Sequence, residues 1–360
     1  NYALEHGTEA LSMCVRKAVN EMLGSLAEDA GIRREDVFQV CVVGNTCMHH
    51  LFLGISPASL VHAPYTPAVS ERLVLNAGDY GLAVQERAEL IMLSDIAGYV
   101  GADTCGCLLA IRQDQQEEIS LMIDIGTNGE MVLGNRERMV TCSTAAGPAF
   151  EGAKIECGMR GAAGAVDHVK YEDGKWNYTT VGNKPAVGLC GSGLIDLVAG
   201  LLEAGMLDEN GVLRSGQEKQ GVFILVPPER GGNERGVYLT QKDLGEVQLA
   251  KAAIAAGIQM LMERLGITED DICSVYIAGA FGNYMDPVSA GKIGLLPATL
   301  VKKVKPVGNA AGEGAKIALV NEKEMLEMDE LVRKIEFVEL AASADFQDHF
   351  IDELGFETGE

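Results

Sequence analysis

Residues Asp124-Ile125-Gly126-Thr127-Asn128-Gly129-Glu130 place a carboxylate, two glycines, a hydroxyl and a carboxamide in one short stretch between apolar runs. This set suits a polyphosphate carrying its cation. Gly126 and Gly129 expose backbone N–H groups as an anion nest, Thr127 and Asn128 donate hydrogen bonds, and Asp124 holds Mg²⁺ through water. A hairpin with ordinary turn chemistry uses the same residues, so the motif alone leaves both readings open.

A second stretch, Tyr276-Ile277-Ala278-Gly279-Ala280-Phe281-Gly282-Asn283, ends an apolar run in small side chains. Ligands of open α/β sheets gather at such strand ends, and Gly279, Ala280, Phe281 and Gly282 leave room for a ribose and a phosphate. Close packing of helix on strand selects the same residues. Gly188 to Gly193 reads as a helix N-terminal nest, with Gly191, Ser192 and Gly193 as phosphate contacts, or as a tight turn; the Ser192 hydroxyl favours the nest.

Two further segments, Gly101 to Ala110 and Gly308 to Ala318, are rich in Gly and Ala, which lets helices cross closely. In a functional reading Gly106 and Gly312 form a hinge between lobes, and Asp103 orients a water near a γ-phosphate. Simple packing competes with the hinge.

The elements that must position these residues follow from apolar spacing. Leu11, Val15, Val19, Met22, Leu23 and Leu26 predict one long helix from Ala3 to about Ala30. The run from Asp36 to Val43 predicts a buried parallel strand leading into a helix, and Leu90 to Leu93 ends at Ser94-Asp95 before a helix over Gly98 to Arg112. From Ile119 three antiparallel strands follow in a meander, over 119–124, 130–134 and 138–142. Gly216 to Gly236 reads as surface loop, Val247 to Leu265 as a helix, and Ile272 to Ile277 as a strand. A helix at Asn309 to Asn321, a strand at Lys334 to Leu340 and a helix from Asp345 close the chain. Alternating elements make this an α/β protein.

With 360 residues and 47% hydrophobic content, the chain is long enough for two lobes. Its 52 acidic against 29 basic residues give a formal charge of -23, which repels phosphate backbones and anionic lipid and argues against nucleic acid or membrane partners. No apolar run reaches the ~18 residues of a membrane span, and the opening residues lack the pattern of a signal peptide, so a cytoplasmic protein is expected. Nine scattered cysteines fit reduced thiols. The Cys105-x-Cys107 pair has no second pair at ligand spacing and is expected in the core.

The order of motifs resembles the connect-one, phosphate-two, adenosine and connect-two series of the actin, sugar kinase and heat-shock ATPase superfamily. Val43 to Gly54, Ala63-Pro64-Tyr65, Ser143 to Gly152, Cys157-Gly158-Met159-Arg160 and Gly188 to Asp196 look like the reductive activators of corrinoid-dependent enzymes, and Val247 to Ile254 and Ala278 to Asp286 extend the match to nearly the whole chain. The resemblance implies an actin-like ATPase fold with ribonuclease-H-like lobes. It implies ATP and Mg²⁺ as cofactors, with Asp103 and Asp124 catalytic and Gln248 and Lys251 near the adenine; a solvated helix face is the alternative for that last pair. The implied activity is ATP-driven reduction of cob(II)alamin to cob(I)alamin on a partner, either a corrinoid iron-sulfur protein or the corrinoid subunit of a methyltransferase.

Two departures qualify the match. Family members carry a ferredoxin domain with a [2Fe-2S] cluster, and no Cys-x4-Cys-x2-Cys run occurs here, so the cluster is expected only on a domain outside this chain. The first Asp-x-Gly-Thr hairpin is also missing. Residues 1–117 are therefore expected to form the C-terminal half of the first lobe, residues 118–360 the second lobe, and the chain a fragment with impaired ATPase activity whose open sheet edge invites self-association. His49 and His50 follow a strand end and read as structural or as docking residues. A small-molecule kinase and a non-catalytic docking module for the corrinoid protein are the alternative functions.

Overall fold

Gly7, at φ 83°, interrupts the opening helix that apolar spacing predicts, leaving helices Tyr2–His6 and Glu9–Ala30. A positive φ suits glycine and ends a right-handed helix. The computed structural model describes residues 1–214, 221–341 and 343–356, with Ala280 described by its backbone alone. The chain forms two units: residues 1–117 with 135–139 and 309–337, and residues 118–134 with 140–308 and 338–360.

In the first unit, Gln39–Val42 pairs in parallel with Glu89–Met92, which pairs antiparallel with Leu73–Asn76. Val40, Phe52, Leu82, Leu90 and Met92 form a small core. The first of these strands is shorter than its apolar run suggests, and of its residues only Val40 is buried. Asn45 accepts the Met48 N–H at 2.9 Å and starts helix Thr46–Leu53, an N-cap that satisfies one orphan donor.

Helices Ala102–Ile111 and Ala310–Val320 both belong to this unit. A Cβ on Gly106 would lie 2.6 Å from the Ala311 carbonyl oxygen, and one on Gly314 would overlap the Gly106 carbonyl. The small residues thus serve backbone contact inside one unit. Cys105 and Cys107 are fully buried on the first of these helices. Apolar spacing did not reveal the helix Glu322–Val332, which buries only Met325 and Met328; the strand expected over Lys334 to Leu340 shrinks to Glu336–Phe337.

The second unit is built on strands in the order Val304–Gly308, Ile272–Ala278, Ile119–Ile125, Gly129–Gly134 and Met139–Thr144. The first three run parallel, while Ile119–Ile125 and Gly129–Gly134 form an antiparallel hairpin. Helix Gln241–Leu265 starts at a Thr240–Asp243 capping box and buries Val247, Ile254, Ile258 and Leu261 in the large core. A hairpin, Ala165–Glu172 with Lys175–Thr180, pairs in parallel with Gly188–Leu189. Of the loop expected over Gly216 to Gly236, residues 216–220 lie outside the described residues. Beyond them Val222–Val226 forms a strand with Val237–Thr240, because Phe223, Leu225 and Val226 find core partners despite their polar flanks. No helix among the described residues is long and apolar enough to cross a membrane.

Candidate functional site

The parallel register of Ile119–Ile125 and Ile272–Ala278 sets Asp124 beside Ala278, so the acidic motif and the Gly/Ala strand end arrive at the same edge of the sheet. Gly279, at φ 85°, then turns the chain so closely past Asp124 that a Cβ there would lie 3.0 Å from Asp124 Oδ1. Helix Gly191–Glu203 brings a third element. Its first intrahelical bond runs from the Leu194 N–H to the Cys190 carbonyl, leaving the N–H groups of Gly191, Ser192 and Gly193 without intrahelical acceptors, in the positive end of the helix dipole.

These three elements enclose a cavity of about 700 Å³ lined by Asp124, Gly126, Gly191, Ser192, Gly279 and Phe281, all within the second unit. A Cβ on Gly191 would lie 2.7 Å from the Phe281 ring, and Phe281 stacks on Phe150 at a centroid distance of 5.6 Å. Glycine at 191 therefore lets the helix start against an aromatic wall. Arg160, Glu151, Asp167 and Tyr284 also line it. Glu151, Arg160 and Tyr284 lie in segments that carried the family resemblance, whereas Asp167 had no signal beyond its polarity.

The other expected contacts differ in detail. The Gly126 N–H donates to the Asn128 carbonyl at 2.9 Å, and the Thr127 hydroxyl donates to Glu151 Oε2 at 2.8 Å. Ser192 gives its proton to the Asp167 carbonyl at 2.8 Å. In this conformation the turn and the serine spend those donors internally, and the open donors are the helix N–H groups. Asn128 is half-buried in the turn. Gly129 is packed on Thr144 and Ile254, Gly282 on Ile277 and Gly193 on the Val166 carbonyl, so each of the three relieves crowding.

Gln248 and Lys251 are not among the cavity lining. Gln248 Nε2 donates to the carbonyls of Asn210 at 3.2 Å and Leu354 at 2.9 Å. Lys251 is buried, bonded to the Gly355 carbonyl and 5.6 Å from the centre of the Phe356 ring. Both hold the C-terminal segment; Lys251 is buried and Gln248 half-buried.

Asp103 lies in the first unit, where its carboxylate accepts the Thr104 N–H at 2.9 Å. Burial pushes its pKa up; the Thr104 bond opposes this, Asp95 adds to it and His49 offsets part. His49 Nδ1 is 3.2 Å from Asp95 Oδ1. His50 bridges the Thr46 carbonyl at 2.7 Å and the Ala68 N–H at 2.9 Å. Both imidazoles are buried in structural contacts.

The cavity holds three carboxylates, Asp124, Glu151 and Asp167, against one guanidinium, Arg160. A bare polyphosphate is repelled by such a balance, whereas one carrying a divalent cation is not. Among the described residues no cluster of three or more His, Cys, Asp or Glu could hold a metal by itself. A hard carboxylate beside an anion site suits Mg²⁺, which keeps several waters and takes one or two protein carboxylates plus phosphate oxygens.

Residues 118–360 match the family model described as the C-terminal domain of RACo, the ASKHA domain, and residues 1–116 match the RACo middle region. The chain belongs to the RACo family. The ASKHA domain is an actin-like ATPase fold, and it fits ATP binding. The corrinoid activation enzyme RamQ of Eubacterium limosum is 34% identical over 352 residues, covering 94% of this chain and 59% of RamQ. The [Co(II) methylated amine-specific corrinoid protein] reductase of Methanosarcina barkeri is 29% identical over 303 residues, covering 78% of this chain and 54% of the reductase. A solved structure titled reductive activator for corrinoid, iron-sulfur protein superimposes with a TM-score of 0.89 at 37% identity, covering 97% of this chain and 57% of that one. The chain thus spans between half and two thirds of the length of these RACo relatives.

Proposed function

We propose that this chain is the ATP-binding and hydrolysing part of a cytoplasmic activator that drives reduction of cob(II)alamin to cob(I)alamin on a corrinoid protein of methyl transfer. The observation that carries the ATP reading is the meeting of Asp124, Gly279 and the Gly191–Ser192 helix end around one cavity. The corrinoid reading rests on the relatives, which are named for acting on corrinoid proteins.

In this reading the N–H groups of Gly191 to Gly193 take phosphate oxygens, and Asp124 holds the hydration shell of Mg²⁺. The metal supplies charge neutralisation for the leaving phosphate. Phe281 and the Gly279 turn shape the nucleoside side. Asp103 is the candidate for orienting the attacking water. Closure around ATP changes affinity for the corrinoid partner, because a ligand shifts a conformational equilibrium only by its differential affinity for the two states.

Calorimetric titration of the full chain with a non-hydrolysable ATP analogue, with and without a corrinoid iron-sulfur protein or a corrinoid methyltransferase subunit, tests the proposal. Mg²⁺-dependent nucleotide binding that tightens partner binding is expected. Partner binding indifferent to nucleotide selects a docking module, and phosphorylation of a small molecule without any corrinoid protein selects a kinase; either result overturns the reading.

A further inference from the structure

Among the described residues that line the cavity of about 700 Å³, Arg160 alone is basic, and its side chain is exposed. Three carboxylates share that lining, yet no ion pair or hydrogen bond among the described residues holds the Arg160 guanidinium. The basic residue before it in the chain, Lys154, is matched by Glu246 at 2.9 Å. Arg160 therefore offers an open cation inside an acidic hollow, and nothing has to be broken before an anion can take it.

The backbone beneath this side chain is fixed. The Met159 N–H donates to the Leu189 carbonyl at 2.8 Å, and the Leu189 N–H to the Cys157 carbonyl at 2.7 Å, a parallel bridge that sets Gly158 beside Leu189. A Cβ on Gly158 would lie 2.2 Å from the Gly152 carbonyl oxygen, so glycine lets this segment press close. Beyond the bridge the Ala162 N–H closes a tight turn on the Arg160 carbonyl at 2.7 Å. Two residues past the bridge, one segment reaches Arg160 and the other reaches Gly191, where the helix with open N–H groups begins. One short ladder thus delivers the guanidinium and the helix end to the same cavity.

We propose that Arg160 is the specificity residue of the nucleotide site, closing on the phosphate that the Gly191 to Gly193 N–H groups take from their own side. A guanidinium presents parallel N–H groups that match two oxygens of one phosphate. A nucleoside without phosphate gives it no anion, so Arg160 adds affinity for phosphate-bearing ligands alone. The assignment rests on the proposed function and names the side chain that reads the phosphates.

The test uses the full chain with Mg²⁺, titrated with adenylyl-imidodiphosphate by calorimetry and with adenosine by saturation-transfer NMR. Arg160→Gln should weaken the triphosphate analogue by about tenfold or more, the worth of a charge-assisted bond, and leave adenosine within about twofold. Arg160→Lys should recover part of the loss, because it returns the charge without the fork. On the parent chain the analogue, and not adenosine, should shield Arg160 from phenylglyoxal, an arginine reagent, as read by mass spectrometry; this readout needs no variant. Equal losses for analogue and adenosine, analogue affinity unmoved by Arg160→Gln, or shielding by adenosine alone would each overturn the assignment. In those cases analogue binding that is lost in Asp124→Asn leaves the proposed function standing, whereas a parent chain that binds neither ligand overturns both.

Discussion

Gly279 approaches Asp124 so closely that a β-carbon at position 279 would sit 3.0 Å from the carboxylate oxygen, at a backbone φ of 85°. The substitution Gly279→Ala therefore meets two penalties, the strain of a left-handed backbone and a push on Asp124. We expect about 1 kcal/mol of lost stability together with weaker Mg²⁺-dependent binding of an ATP analogue. Calorimetry and urea denaturation on the same preparation separate the two, and unchanged nucleotide affinity would remove Asp124 from the metal site.

Asp124→Asn keeps the shape of the strand end and removes its charge. If Asp124 holds the hydrated metal, ATP hydrolysis should fall on the order of 10²-fold, the usual cost of losing one electrostatic stabiliser. Residual binding should become insensitive to Mg²⁺. An ATPase rate within a few fold of the parent chain would contradict the assignment.

Helix contact in the first unit depends on residues without side chains. Gly106→Ala places a carbon 2.6 Å from the Ala311 carbonyl oxygen, and overpacking of this kind costs about 1–3 kcal/mol. Gly314→Ala, which overlaps the Gly106 carbonyl, should cost at least as much. Urea midpoints that match the parent chain would show that these helices move apart freely.

Burial raises the Asp103 pKa from its ordinary 3.8. The folded chain then keeps this proton to a higher pH than the unfolded chain does. Stability attributable to Asp103 accordingly declines as pH rises from about 4 through the raised value, by about 1.4 kcal/mol for each pH unit that separates the folded from the unfolded pKa. Asp103→Asn removes that decline, so unfolding free energies compared at about pH 4 and about pH 7 should fall less steeply in the variant. Parallel slopes would show that this carboxyl titrates alike in both states.

The acidic turn and the Gly/Ala strand end were legible because strand-terminal glycines and a carboxylate leave a mark in the sequence, and the parallel register then joins them. Glu151, Asp167 and Tyr284 were not legible as site residues, since polar residues in loops and hairpins look alike until tertiary contacts select them. The contacts of Gln248 and Lys251 were hidden for a related reason: a polar side chain on a helix gives no sign that a distant carbonyl will claim it, as those of Leu354 and Gly355 do. The split at Gly7 and the strand Val222–Val226 show the same limit, because one glycine's φ and a partner strand outweigh local periodicity.

The helix Gly191–Glu203 ends at one hollow and flanks another, with Gly191 and Ser192 at its tip and Asp196 one turn along. The helix is one stiff rod, and a shift of its tip is also a shift of its flank. Whatever displaces Gly191 in the first hollow therefore also moves Asp196 at the wall of the second.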